Sequence, residues 1–278
     1  MSDARLERPT RVAVVTGGGR GLGRIVAIAL ARRGDRVALV GRGVESLRET
    51  ERLIDGEGGF ARAIPADIGD PAAVEAMARA VERDLGPVSI LVNAAGSFGP
   101  IQPVKDGDPH AWIGTLSVNL VGPYLTCRAF VGTMVTRGWG RIVNFSSAAS
   151  LHPPGPFNSA YATSKVALNQ LTRHLAAEVA GTGVTANVIH PGDVKTDMWA
   201  DIRDRSQRMG PEAEAYRKWV EWVEATGGDD PRKAADLILR LTGEDGGQIN
   251  GQFLWIADPL QAPIPSWDPP VDSRPWNC

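Results

Sequence analysis

Val12-Ala13-Val14-Val15-Thr16-Gly17-Gly18-Gly19-Arg20-Gly21-Leu22-Gly23 is the stretch on which the fold turns. Its first four residues are apolar and mostly β-branched, as in a strand whose sheet is covered on both faces. Glycines follow, and residues 25–33 then read as a helix. Strand, glycine turn and helix in that order bring bare backbone next to the exposed N–H groups of a helix start, where a pyrophosphate can approach closely. Many loops hold three glycines; the flanking elements give these their meaning. Thr16, Gly17, Gly19, Arg20, Gly21, Leu22 and Gly23 are therefore candidate cofactor contacts.

Outward from this stretch the pattern repeats. Strand-like runs at 37–40, 61–66, 88–92, 141–145, 184–189 and 252–256 alternate with helical runs at 44–54, 71–85, 160–179 and 231–241, and residues 108–135 read as one long helix or two consecutive ones. Such alternation predicts an α/β chain, a single doubly wound domain over residues 1–258 with a mostly parallel seven-stranded sheet flanked by helices. Residues 197–228 are polar with aromatic anchors, and Tyr216, Trp219, Val220 and Val223 follow helical spacing. That segment is either a substrate lid or a helix packing its apolar stripe on the body, and Met198, Trp199, Tyr216, Trp219 and Trp222 are its candidate wall residues. Residues 259–278 are rich in proline and read as an extended arm.

Composition narrows the class. The 278 residues are 43% hydrophobic and 22% charged with a net charge of -2, which gives no sign of a nucleic-acid partner. No basic block or long apolar run points to a membrane, and the polar first nine residues lack a secretory core, so the cytoplasm is the expected compartment. Cys127 and Cys278, far apart, supply neither a disulfide framework nor a metal site.

The chemistry-bearing residues cluster after strands. Arg42 stands just beyond the second strand, where NAD sites usually carry an acid; with Arg20 it could grip a 2′-phosphate, which predicts NADP(H) over NAD(H). Asp67, followed by Ile68, either accepts a hydrogen bond from an adenine amino group or caps the next helix. Asn93-Ala94-Ala95-Gly96 ends the fourth strand with small residues that let a ligand lie against the backbone, although Asn93 could instead brace the turn. Asn119 sits among apolar residues and needs buried partners. Tyr161 and Lys165 are four apart on a helix, which sets an ammonium beside a phenol and predicts a lowered phenol pKa, helped by the helix start. Ser147, just past the fifth strand, would bring a second hydroxyl to the same point; Ser146 is the weaker candidate. Pro191-Gly192 follows the sixth strand and leads to Val194 and Thr196.

Thr16-Gly17-x-x-x-Gly21-x-Gly23, Asn93-Ala94-Ala95-Gly96, Asn119, Ser147, Tyr161-x-x-x-Lys165 and Pro191-Gly192, in this order over residues 12–256, resemble the classical subgroup of the short-chain dehydrogenases/reductases. The resemblance implies a Rossmann-type fold and an oxidoreductase interconverting a carbonyl and a secondary alcohol with a nicotinamide cofactor. It implies a tetrad in which Tyr161 passes a proton to the substrate oxygen and Ser147 hydrogen-bonds that oxygen. Lys165 would lower the phenol's pKa and bind the nicotinamide ribose, and Asn119 would hold a water linking Lys165 to solvent. Val194 and Thr196 would contact the nicotinamide amide, and the chain would form a homotetramer or homodimer. The interval from Ser147 to Tyr161 is one residue longer than is usual in the family, which places an extra loop residue within 152–158.

Overall fold

The computed structural model describes residues 10–151 and 155–256. The proposed arm at 259–278 and part of the extra-residue loop lie outside the described residues. Seven strands, β1 (Val12–Thr16), β2 (Arg36–Gly41), β3 (Phe60–Pro65), β4 (Val88–Asn93), β5 (Gly140–Phe145), β6 (Val184–His190) and β7 (Phe253–Trp255), form one sheet in the order β3-β2-β1-β4-β5-β6-β7. Every neighbouring pair is parallel. Around it lie α1 (Gly21–Arg32), α2 (Val44–Gly56), α3 (Pro71–Asp84), α4 (Pro109–Leu116), α5 (Gly122–Thr136), α6 (Ser159–Glu178), α7 (Asp197–Gln207), α8 (Glu214–Thr226) and α9 (Pro231–Leu241).

Strand periodicity divides the core. In β1, Ala13 and Val15 join the cluster that includes Leu30, Leu47 and Leu237, while Val12 and Val14 join the one that includes Val74, Phe130 and Leu175. Helices α1, α2 and α9 therefore cover one face, and α3, α5 and α6 the other. Burial on both faces explains why the strands read as unbroken apolar runs. The strand order reverses between β1 and β4, and the crevice outside the carboxyl ends at such a reversal is the place where open α/β sheets take ligands.

Several sequence expectations change in detail. The first helix begins at Gly21 rather than near residue 25, because the glycines form its first turn. A Cβ on Gly23 would be driven into the carbonyl oxygen of Gly17, so close helix-to-strand approach outweighs glycine's poor helix propensity. Residues 108–135 are two helices joined by a π-helical turn, Ser117–Val121, with Asn119 at its centre. Asp70, not Asp67, caps α3, its side chain accepting from the Ala72 N–H.

Residues 197–228 hold α7, unforeseen as a helix, and α8. Trp199, Ile202, Val220 and Val223 close a third small core with Ile101, so the segment does bury an apolar stripe of its own. No helix among the described residues is long and apolar enough to cross a membrane.

Candidate active site

Helix α6 brings the chemistry to the crevice. Tyr161 is its third residue and Lys165 lies one turn on, both buried, at 9% and 4% exposure. A buried polar chain fixes this helix against the sheet. The Thr126 hydroxyl of α5 donates to Asn93 Oδ1 at 2.8 Å, Asn93 Nδ2 to Asn144 Oδ1 at 2.9 Å, and Asn144 Nδ2 to the Thr172 hydroxyl of α6 at 2.8 Å. Each of these amides would be costly to bury alone, and each has a partner. Asn93 is thus a brace across β4 and β5; its side chain is committed there, and the ligand surface at this strand end is left to Ala94 and Gly96. Sequence reading missed Asn144 and Thr172, although an Asn inside the run Ile142-Val143-Asn144-Phe145 is a polar residue that has to pair.

Asn119 is fully buried in its π turn and finds the partners its surroundings demand. Its Oδ1 accepts from the Ser97 N–H at 2.8 Å, and its Nδ2 donates to the Ser97 carbonyl at 2.8 Å and the Ser164 hydroxyl at 3.0 Å. That hydroxyl in turn donates to the Tyr161 carbonyl at 2.7 Å. Its amide therefore clamps the loop after β4 onto the Tyr161 turn, and a π turn at such a place is a recurrent feature of functional sites.

Ser147 and Tyr161 meet. The Ser147 hydroxyl caps the short turn Ala148–Ser150, accepting from the Ala149 N–H at 3.2 Å, and lies near enough to Tyr161 to act on its phenol. Ser146 turns away, donating to Asn169 Oδ1 at 2.6 Å inside the core. The expected lowering of the phenol pKa is not what the geometry yields. Burial raises the Tyr161 pKa above its ordinary value, the Ser147 hydrogen bond pulls it down, and the charge of Asp193 pushes it up again. Lys165 Nζ sits 5.5 Å from the Tyr161 ring centre but donates to the Phe145 carbonyl at 2.6 Å, and burial brings its own pKa down to about 8. Desolvation weighs on both groups, so Tyr161 keeps its proton at neutral pH.

The glycine turn fits a dinucleotide. Gly17 has φ +71°, and a Cβ there would lie 2.9 Å from the Ala95 backbone; Thr16 below it accepts from the Ala95 N–H at 3.1 Å. A Cβ on Gly19 would press on the Ser46 hydroxyl, and one on Gly21 would point at Thr196, 3.8 Å away. At Gly96 a Cβ would fill the space beside Lys165 Nζ at 3.8 Å and Met198 at 3.9 Å. These bare backbones form a continuous cradle from the start of α1 to Lys165. Leu22 packs inward on the core beneath α1. Ile68 is buried against Gly122, so its side chain is core.

Two guanidiniums flank the cradle. Arg20 pairs with Asp197 at 3.2 Å and Arg42 with Asp67 at 4.0 Å; both arginine side chains are 74% exposed. Asp67 also accepts from the Gly69 N–H at 2.9 Å. Beyond β6, Gly192 takes φ +89°, and a Cβ there would also collide with Ile256 and Asp229. Pro191 and Gly192 lead into Val194, which bridges to Gly228, and Thr196, which opens α7 over the cradle.

The substrate side is aromatic. Phe98 lies 4.7 Å from the Tyr161 ring, Tyr216 stands edge-on to Phe98 at 6.2 Å, and the Tyr216 hydroxyl donates to the Pro156 carbonyl at 2.9 Å. Of the expected wall residues, Met198 and Tyr216 face this side, Trp199 is interior to the third core and Trp219 packs against it, while Trp222 is 48% exposed. Phe98, which the sequence reading did not single out, lies against the phenol ring on this wall. Among the described residues no cluster of His, Cys, Asp and Glu stands ready for a metal, and Cys127 is buried with its thiol pushed up to about 12.

Residues 11–207 match the short chain dehydrogenase family. The chain is 33% identical over 252 residues to the 2,3-dihydro-2,3-dihydroxybenzoate dehydrogenase of Bacillus subtilis (strain 168), covering 88% of this chain and 94% of that one. It is 35% identical to the galactitol 2-dehydrogenase (L-tagatose-forming) of Cereibacter sphaeroides, covering 88% and 92%. Among solved structures, an actinorhodin polyketide ketoreductase with NADPH superposes with a TM-score of 0.81 at 29% identity, over 89% of this chain and 96% of that one. An NAD+-bound xylitol dehydrogenase gives 0.81 at 28% identity, over 89% and 97%. With the all-parallel sheet and the glycine turn in place, the chain belongs to the short chain dehydrogenase family and is an oxidoreductase of carbonyl and CH–OH groups.

Proposed function

We propose that the protein is a cytoplasmic NADP(H)-dependent enzyme that interconverts a carbonyl and a secondary alcohol of a small organic molecule, with Tyr161 as general acid and base. The observation that carries this reading is the buried Tyr161 phenol in the first turn of α6, one turn from the buried Lys165 and beside Ser147. When bound in the cradle, a nicotinamide cofactor supplies or accepts the hydride. The rest falls to the chain's own groups. In reduction Tyr161 donates its proton to the substrate oxygen, and the Ser147 hydroxyl donates a hydrogen bond to the same oxygen as negative charge develops there. In oxidation the same phenol takes the proton back. Lys165 is held by Phe145 at the floor of the cradle, where its amine would meet the ribose hydroxyls, and its charge there would counter the burial that now holds the phenol's proton. Asn119 keeps the Tyr161 turn in place through Ser164.

Arg20 and Arg42 support the phosphate-bearing cofactor, because both guanidiniums are exposed on the cradle's rim and weakly held by single carboxylates. Residues 1–258 act in this reading as one catalytic unit, with 197–228 closing over the aromatic wall. A homodimer or homotetramer is supported by the exposed apolar residues Ile113, Val121, Tyr124 and Val166 on α4, the π turn, α5 and α6.

The test is steady-state turnover of a ketone panel with NADPH and with NADH. The expected result is preference for NADPH, reduced at least about tenfold in Arg42→Ala by a higher KM for NADPH alone. Equal use of both cofactors, unchanged in that variant, would assign Arg42 to the surface and NAD(H) to the site. Tight NADPH binding with no turnover of any ketone or alcohol would replace the enzyme by a cofactor-binding sensor.

A further inference from the structure

The turn that carries Ser147 has to be held still for its hydroxyl to serve Tyr161, and the sheet ladder ends just before it. Ser146 N–H donates to the Ile189 carbonyl at 2.8 Å. The following rung between β5 and β6 would need an N–H from residue 191, and Pro191 has none. At that point the link passes to a side chain: the Ala148 N–H donates to Nδ1 of His190, the last residue of β6, at 3.3 Å. His190 is 5% exposed, and its ring meets Trp255 of β7 edge-on at 4.6 Å. From the other side Asn169 of α6 accepts from Ser146 and donates to the Ser150 hydroxyl at 2.8 Å. The Ser147 turn is thus gripped from α6 by an amide and from β6 by an imidazole.

We propose that His190 is a positioning residue for the reaction, its Nδ1 lone pair fixing the Ala148 N–H and so aiming the neighbouring Ser147 hydroxyl at Tyr161. The proposal rests on the reading of Ser147 and Tyr161 as the groups that meet the substrate oxygen. A pure packing role would need only the ring against Trp255; a positioning role needs the acceptor. The two requirements separate in two substitutions. His190→Phe keeps a ring and loses the acceptor. His190→Asn loses the ring and keeps an acceptor, Oδ1, bonded to the same Cγ position as Nδ1.

His190→Phe is expected to lower kcat about tenfold with the KM for NADPH held within about twofold, as the loss of one buried hydrogen bond predicts. His190→Asn should restore most of that loss. In a Ser147→Ala background His190→Phe should cost nothing further, because the two changes remove the same function. Amide exchange at Ala148, followed by mass spectrometry or NMR, should quicken in His190→Phe and stay slow in His190→Asn, a readout that needs no substrate. Equal impairment of both variants would overturn the proposal, as would a His190→Phe effect confined to the cofactor KM, additive with Ser147→Ala, or without change at the Ala148 amide. Quickened exchange alongside a fully active Ser147→Ala enzyme would support the His190 grip while overturning the role given to Ser147 in Proposed function.

Discussion

The two rims of the sheet use the same residue types to opposite ends. At the carboxyl rim Arg20 and Arg42 are exposed, each facing a single carboxylate, and the buried cation, Lys165, has a carbonyl for a partner and a pKa brought down to about 8. At the amino rim Arg11 and Arg141 are buried and Arg33 nearly so, each held by several partners. Arg11 and Arg141 lie over the Trp139 ring at 3.9 and 4.4 Å, and Arg11 also pairs with Glu244. Arg141 donates to the carbonyls of Gly140, Gly183 and Gly243, and Arg33 pairs with Asp35 and donates to the Leu239 carbonyl. Three cations thereby converge on the carboxyl end of α9, where the helix dipole favours positive charge. One rim holds its charges inside the fold, and the other leaves Arg20 and Arg42 exposed.

The contrast breaks most sharply at Tyr161. Tyr161→Phe should lower kcat by about 10²–10⁴-fold, as loss of a general acid does, with an unchanged melting temperature; a full-activity variant would sink the proton donor. Arg141→Met should do the reverse. It strands carbonyls at the buried rim and should destabilise the fold by about 2–4 kcal/mol in denaturant titration, with turnover per folded molecule unchanged. A drop in turnover there would mean that the rims communicate.

Lys165 sharpens the comparison through its sign. Its folded pKa of about 8 lies below the ordinary 10.5, so the folded state is reluctant to bind the proton that the unfolded chain takes readily. Its burial therefore costs stability below pH 8, and the cost fades as pH rises from 8 to 10.5. Lys165→Met should gain roughly 2 kcal/mol at pH 7 while abolishing activity, with the gain shrinking above pH 8. A loss of stability at pH 7 would show that the Phe145 hydrogen bond outweighs desolvation. The smallest effect belongs to the exposed Arg83–Asp84 pair, on neither working rim: Arg83→Ala should leave the denaturant midpoint and turnover unchanged.

The architecture was legible because burial on both faces writes each strand as an apolar run, and because Gly17 and Gly23 stand where a Cβ has no room. Ser147, Tyr161 and Lys165 were legible by position relative to strand and helix ends. What escaped depends on tertiary contact. Asn93 looks the same in sequence whether it faces a ligand or Asn144. Helix α7 carries five charged residues in eleven and shows its apolar side only through Trp199 and Ile202. The phenol's pKa was misjudged because spacing reveals the neighbouring cation and says nothing of the water that Phe98 and the sheet remove.

The Thr126–Asn93–Asn144–Thr172 chain has a consequence for how the chain tolerates change. Helix α6 is keyed to β4 and β5 from within, like a drawer on rails, and the connection that precedes it is not what sets its depth. A spare residue between Ser147 and Tyr161 can therefore be taken up outside the rails. Segments bordering the aromatic wall are free to vary in length and shape, and the phenol does not have to move with them.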